Sequence, residues 1–261
     1  MMRVVFLGCT KFSGEILNHI LGMENVHIKA VFSIPEEFDI SYSESKVKNS
    51  NYVDLSGHAK KAGADYFLVN SSKGNRITDY KNEIAAYNAD VILVMGWYYM
   101  VPAQVRDLAK YGAWGIHASL LPKYAGGAPL VWAMIEGEKE SGVTLFRLED
   151  GVDDGDIIKQ GKISIEPNDT IKEVYDKATM ASKVILSEVL VENAVDFTPQ
   201  DKSKIEVYPQ RSPVDGEIDW NWSADRIYNF IRAQTRPYPG AWSVINDKKV
   251  TIWDASIEDK P

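Results

Sequence analysis

Cysteine occurs once in the 261 residues, at Cys9. A single thiol closes no internal disulfide, so a disulfide-stapled scaffold and paired-thiol redox chemistry are excluded. Its apolar neighbours suit a buried structural thiol rather than a nucleophile. Long apolar runs are missing as well. No eighteen consecutive apolar residues occur, and "MMRVVFLGCTKFSGEIL" breaks into polar residues after Leu7, too early for a secretory apolar region. A cytoplasmic chain without a membrane role is the expectation. Positive charge is scarce: 29 Lys and Arg stand against 37 Asp and Glu, a net charge of -8. That field opposes a polyanionic partner unless the cations cluster locally. The remaining composition, 45% hydrophobic and 25% charged, is that of a globular protein able to bury a sizeable core.

What is present alternates. Arg3 to Leu7 is a short apolar run ending at Gly8, and "FSGEILNHILGM" then has helical spacing at Phe12, Ile16, Leu17 and Ile20. Strands are expected at "HIKAVFSI", "DYFLVN" and "DVILVMGW", with helices at "VDLSGHAKKAG" and "YKNEIAAYNA" between them. The pattern predicts an α/β fold: a Rossmann-like, mostly parallel sheet with helices on both faces. Ligands then belong beyond the carboxyl ends of the strands, near Gly8, Gly96 and the segment after Ile116. "GCTKFSG" lacks the G-x-G-x-x-G spacing, which argues against a dinucleotide. After Val143 come two strand-like runs, "VTLFRLED" and "DIIKQGKISI", and a long helix "TIKEVYDKATMASKVILSEVLVENA" capped by Asp169 or Thr170. A catalytic domain over 1–195 is therefore expected. From 196 to 261 a polar, proline-dotted linker leads to a small C-terminal α+β unit, with a helix at "ADRIYNFIRAQ" and a hairpin turning at Asn246-Asp247.

Of the four histidines, His19, His27 and His58 read as surface or half-buried residues. His117 differs, because it ends a strand-like run and precedes the rigid turn at Pro122. A glycine-bent acidic turn, "LEDGVDDGDII", is the second candidate. It lacks the D-x-[DN]-x-[DN]-G order and terminal Glu of a calcium loop, and no second His or Cys stands at ligand spacing from His117, so no metal is expected. Ser119 lies two residues from His117, but no G-x-S-x-G elbow surrounds it. One imidazole and one carboxylate on neighbouring loops suit acid–base work: the ring stabilises charge developing on a carbonyl oxygen, and the carboxylate takes a proton from an attacking amine.

The stretch "GIHASLLPKYAGGAPLVWAMIEGEKESGVTLFRLEDGVDDGDIIKQ" resembles the folate-dependent formyltransferases. These include methionyl-tRNA formyltransferases, glycinamide ribonucleotide transformylases and nucleotide-sugar N-formyltransferases. The shared pattern, H-x-S-L-L-P-x-x-x-G-x-x-P followed by G-V-T and D-x-G-D, is long and specific. The likeness covers the first two-thirds of the chain, and "FIRAQTRPYPGAWSVINDKKVTIW" resembles the family's C-terminal segment. The resemblance implies that His117 and Asp153 are catalytic. It further implies that Gly96, Trp97, Tyr98, Tyr99 and Met100 hold N10-formyltetrahydrofolate together with Asp150, Gly151 and Asp153. The "SLLPKY" loop, contributing Ser119, Leu121, Pro122, Lys123 and Tyr124, would meet the amine. One departure stands out: the family carries Asn two positions before the histidine, where this chain has Gly115. Its main-chain N–H or a water would then replace that oxyanion donor, or His117 would act alone, unless Gly115 is there for a backbone only glycine adopts.

Within that resemblance three amine acceptors compete: a nucleotide-linked amino sugar, the aminoacyl end of initiator tRNA, and a ribonucleotide amine. From Ile218 onward the cations Arg226, Arg232, Arg236, Lys248, Lys249 and Lys260 face at least as many acids, too weak a stripe for tRNA. A sugar nucleotide needs only one or two cations and an aromatic, with Arg211, Lys123 and Tyr124 as candidates. The expectation is N-formyl transfer to a UDP- or dTDP-linked amino sugar, by a homodimer formed through the terminal unit. Methionyl-tRNA formyltransferase is the alternative, and a folate-binding homologue without turnover is the alternative of another class.

Overall fold

The computed structural model describes residues 1–40, 45–72, 74–192 and 195–258. In chain order its elements are β1 (Met2–Leu7), α1 (Lys11–Ile20), β2 (Val26–Ser33), the short β3 (Glu37–Phe38) and β4 (Val47–Lys48), α2 (Ser56–Ala62) and β5 (Asp65–Leu68). Next come α3 (Lys81–Ala86), β6 (Val91–Val94), α4 (Ala103–Arg106), β7 (Ala113–His117), β8 (Ala125–Gly126), α5 (Pro129–Ile135), β9 (Glu140–Arg147) and β10 (Ile157–Ser164). The chain closes with α6 (Ile171–Glu192), β11 (Val207–Tyr208), α7 (Ala224–Gln234), β12 (Ala241–Ile245) and β13 (Lys248–Ile252).

Seven strands form the main sheet in the order β10-β9-β7-β6-β1-β2-β5. β7, β6, β1, β2 and β5 run parallel, while β9 and β10 join antiparallel at one edge. Strand periodicity divides the core between the two faces. Met2, Val4 and Phe6 of β1 enter one cluster with Ile16, Leu17 and Ile20 of α1, whereas Val5 and Leu7 enter another with Ile84 and Val105. Each such side chain, fully buried, contributes roughly 1.5–3 kcal/mol. Strand order reverses between β1 and β6, which sets Gly8, Gly96 and His117 side by side beyond the carboxyl ends.

The start of α1 is closed on itself. Thr10 accepts from the Ser13 amide, the Ser13 hydroxyl accepts from the amides of Cys9 and Thr10, and the same hydroxyl donates to Met95 O. The amides that grip a phosphate in dinucleotide folds are thus paired internally. Cys9 is buried, as its neighbours implied. At the start of α6, Thr170 N–H donates to Glu173 and its hydroxyl accepts from the Lys172 amide, while Asp169 turns to Glu166 N and Lys177. The expected final residues of that helix, Asn193 and Ala194, lie outside the described residues, as do Asp259 and Lys260.

α5 had no periodic signal. Leu130, Val131, Ala133, Met134 and Ile135 are all buried, and a short run that is apolar all round carries no 3.6-residue pattern. The terminal unit packs Phe230, Ile231 and Ala241 into the core that α5 and α6 share with the sheet. Its β12–β13 hairpin turns at Asn246 and Asp247, both at positive φ (48° and 61°), as the Asn-Asp pair indicated.

Candidate functional site

His117 is the last residue of β7, paired with Thr144 of β9, and its side chain is almost wholly buried. Its Nε2 lies 2.7 Å from Tyr124 O, and its Nδ1 lies 3.4 Å from Asp153 Oδ2. A nitrogen and a carbonyl oxygen that close share a proton, so the hydrogen bonding assigns the Nε2–H to Tyr124. Nδ1 is then the ring atom left for chemistry. It carries a proton toward Asp153 when the ring is charged and presents a lone pair when it is not.

Asp153 sits in the loop between β9 and β10, at φ 50°. This left-handed backbone is uncommon outside glycine, although Asp tolerates it better than most residues. Its Oδ2 accepts from Gly126 N–H at 2.8 Å. Gly126 belongs to β8, which pairs in parallel with β11, so the linker to the terminal unit forms part of the site's wall. Gly155 in the same loop tolerates no side chain, because a Cβ there would collide with Arg147 O.

The loop that leaves His117 is pinned from beneath. Thr144 Oγ1 donates to Ser119 O and accepts from Leu121 N–H, and Gln160 Nε2 donates to Leu121 O. Ser119 is fully buried and its hydroxyl donates to Lys123 O; Leu121 is buried against Phe146 and Ala125. The expectation that these two side chains meet the substrate is corrected accordingly: they shape the turn because its own backbone polar groups must be paired inside the fold. Lys123 is exposed, and Pro122 and Tyr124 are half-buried. Tyr124 donates to Glu138 and stacks on Tyr208 with ring centroids 4.9 Å apart; burial first, then Glu138, pushes its phenol well up from the ordinary range. Arg211 lies at the joint with the terminal unit. Its guanidinium lies over Trp132 and Phe230 and donates to Asp215 O and Gln234 Oε1, and burial lowers its pKa, while its Nε has no partner among the described residues.

At the end of β6, Gly96 adopts φ 65°, and a Cβ there would collide with Thr10 Oγ1. Trp97 and Tyr99 pack edge to face, Tyr98 packs against Phe38 and donates to Asn49, and Met100 is exposed. The Trp97 indole N–H is buried without a partner among the described residues. Asp150 and Gly151 are exposed, and Asp150 is held by Arg106. Arg106 is itself buried and donates to Val101 O and Glu149 O, tying this strand end to the Asp153 loop. Gly115 lies in ordinary strand conformation, contrary to a need for glycine backbone; a Cβ there would stand 2.9 Å from Leu148 Cδ2.

Arg106, Gln200 and Tyr208 were not visible as site residues in the sequence, because each acts through backbone groups or partners far along the chain; Gly126 is the fixed glycine of the quoted motif, but its hold on Asp153 is visible only in the fold. Among the described residues no group of three or more His, Cys, Asp or Glu is placed to hold a metal, and no helix is long and apolar enough to cross a membrane.

The chain is thus an α/β protein with His117 and Asp153 facing each other beyond the carboxyl ends of its strands, and its relatives show which class of enzyme it is. The formyl transferase family matches residues 2–190 and the formyl transferase C-terminal domain matches 211–261. The chain belongs to the folate-dependent formyltransferase family. It is 42% identical over 173 residues, 63% of its length, to the bifunctional polymyxin resistance protein ArnA of Wigglesworthia glossinidia brevipalpis, and this match spans only 26% of that protein. It is 31% identical over 259 residues to the methionyl-tRNA formyltransferase of Caldanaerobacter subterraneus subsp. tengcongensis, covering 98% of this chain and 81% of that one. In three dimensions it resembles a 4-N formyltransferase from Francisella tularensis (TM-score 0.73, 15% identity, 99% of each chain). It also resembles an N-formyltransferase from Helicobacter canadensis solved with folinic acid and dTDP-3-aminofucose (TM-score 0.69, 20% identity, 96% of this chain and 86% of that one).

Proposed function

We propose that the chain moves a formyl group from N10-formyltetrahydrofolate to the primary amine of a nucleotide-linked amino sugar. The carrying observation is the character of the wall beside His117. It is aromatic and acidic, with Tyr124 and Tyr208 stacked and flanked by Glu136, Glu138 and Glu206, whose charges raise the Tyr208 pKa after burial. A tRNA backbone would meet repulsion here and little free cation on the terminal unit, where Arg232 is spent on Glu166 O and Asp169 O and Arg226 faces Glu136. An amine-bearing sugar needs less: a ring to stack on and Lys123 for a phosphate.

The end of β6 suits a pterin. Gly96 lets the strand end pack directly on Thr10 and Ser13, and the unpartnered Trp97 N–H offers a donor to an acceptor-bearing planar ring. Trp97 to Met100, with Asp150 and Gly151 across the gap, would hold it. The bound folate supplies an activated formyl carbon. Asp153, fixed by Gly126 N–H, would take the proton from the attacking amine and pass it to the folate nitrogen as the bond from that nitrogen to the formyl carbon breaks, while His117 donates from Nδ1 to the negative charge developing on the formyl oxygen. The Tyr124 carbonyl stabilises the charged ring through Nε2–H. The acceptor must arrive as the neutral amine, since an ammonium has no lone pair.

A second reading, methionyl-tRNA as acceptor, is favoured by the 31% identity to such an enzyme over 98% of the chain. Incubation with the folate donor and, separately, UDP-amino sugars, dTDP-amino sugars and methionyl-tRNA, followed by mass spectrometry of the acceptor, decides between them. Formylation of the tRNA alone would overturn the sugar reading. Association of two copies through the terminal unit belongs to the same reading and is measured by sedimentation.

A further inference from the structure

One stretch of chain touches both halves of the candidate site, and neither matched family segment covers it, since the matches end at 190 and resume at 211. It begins beside β10, where Thr198 and Ile157 exchange two backbone hydrogen bonds of 2.8 Å. Two residues on, Gln200 is buried and its Nε2 donates to Asp153 O at 2.8 Å and to Gly155 O at 2.7 Å. Lys202 then pairs with Asp154 Oδ2 at 2.8 Å. At its far end the stretch becomes β11, which pairs with Ala125 and Gly126, and Tyr208 O accepts from Gly127 N–H. Gly126 is the residue whose amide holds the Asp153 carboxylate.

We propose that Gln200 is a positioning residue for Asp153, and that the strap from Thr198 to Tyr208 sets the geometry of the His117–Asp153 pair from outside the sheet. Asp153 stands at positive φ, and a carboxyl-bearing residue held there needs its peptide orientation over-determined by its surroundings. Gln200 provides that by fixing the carbonyls of Asp153 and Gly155 with a single amide. Its orientation follows from chemistry, because only the nitrogen side of an amide donates to two carbonyls. The opposite atom, Gln200 Oε1, is buried without a partner among the described residues. The two carbonyls it grips therefore fix the amide's orientation even though its oxygen goes unpaired. The strap then closes a circuit: Gln200 orients the Asp153 backbone, and β11 orients the β8 amide that receives the Asp153 carboxylate.

This inference rests on the reading of His117 and Asp153 as the reacting pair. The test uses the full chain with Gln200→Met and Gln200→Glu, both of similar length and both without the donors, beside Asp153→Ala. Hydrogen exchange of the Gly126 amide, followed by NMR without substrate, reads the carboxylate's hold directly. Exchange at Gly126 should accelerate about tenfold or more in either Gln200 variant while the amides of β1 and β6 keep their rates. With donor and acceptor present, kcat should fall about thirtyfold or more with both KM values nearly unchanged, as for an interaction that matters in the transition state. An unchanged Gly126 rate with kcat close to the parent's in both variants overturns the proposal, as does acceleration of all strand amides together. Activity retained by Asp153→Ala would instead remove the pair itself and the inference with it. An inactive Asp153→Ala beside fully active Gln200 variants removes the inference alone.

Discussion

His117 Nδ1 stands 3.4 Å from Asp153 Oδ2 across the gap between the end of β7 and the β9–β10 loop. The ring is anchored on its far side by Tyr124 O, and the carboxylate oxygen that faces it, Oδ2, also accepts from Gly126 N–H, so backbone groups hold both partners. On the proposed function, His117→Ala and Asp153→Asn each lower kcat by about a hundredfold or more while the fold persists. Steady-state kinetics with circular dichroism on the same samples checks this, and near-normal turnover in either variant would refute the assigned role.

Gly115 and Leu148 compete for one space. Gly115→Ala should fold and lose about 1 kcal/mol, since the Cβ meets only the end of a flexible side chain. Gly115→Asn should lose more. In a double-mutant cycle with Leu148→Ala, part of that loss is recovered, and strict additivity in urea melts would show that the two side chains do not meet.

Trp97 offers a test of the folate site. Trp97→Phe keeps a ring and deletes the unpartnered N–H, so the free protein should be no less stable by more than the packing difference, whereas tetrahydrofolate should bind more weakly. The parent's melting temperature should rise with tetrahydrofolate, by about 2.7 kcal/mol of stabilisation at a ligand concentration a hundredfold above Kd. Equal affinity in parent and variant would detach the indole from the ligand.

The Arg106–Asp150 pair is lopsided: the guanidinium is buried and the carboxylate exposed. Asp150→Ala should therefore change stability by less than about 1 kcal/mol. Arg106→Ala removes the donors to Val101 O and Glu149 O as well, and should cost about 2–4 kcal/mol. Denaturant titration compares the two, and equal effects would contradict the asymmetry.

Burial pushes the Cys9 thiol up to about 12. The folded chain thus keeps this proton to higher pH than the unfolded chain, whose thiol ionises near the ordinary value of 9.0. The contribution is fully present below that value and is lost as pH rises toward 12, so stability declines through that alkaline window. At pH 8 a disulfide reagent should label Cys9 slowly in the native protein and rapidly after denaturation. Fast native labelling would show that the thiol is accessible.

Much of this was legible in the residues themselves. Alternating apolar runs and helical spacings announced the parallel sheet, because burial on both faces leaves a strand continuously apolar and a helix periodic. The Asn-Asp turn of the terminal hairpin was equally plain. The "SLLPKY" loop was legible only in part: its place beside His117 was evident, but burial of Ser119 and Leu121 depends on Thr144 and Gln160 beneath it, from two strands that follow. α5 was hidden because an element buried all round loses its period.

The sequence alone determined the fold class and the formyltransferase family, since periodicity and a long motif are local properties that survive without coordinates. Tertiary structure alone decided which ring nitrogen faces Asp153, that Arg211 is locked between Trp132 and Phe230, and that Gln200 grips a loop 47 positions earlier in the chain. Such contacts follow from how the sheet and its loops satisfy buried backbone groups, a condition on the whole packed chain that no short segment encodes.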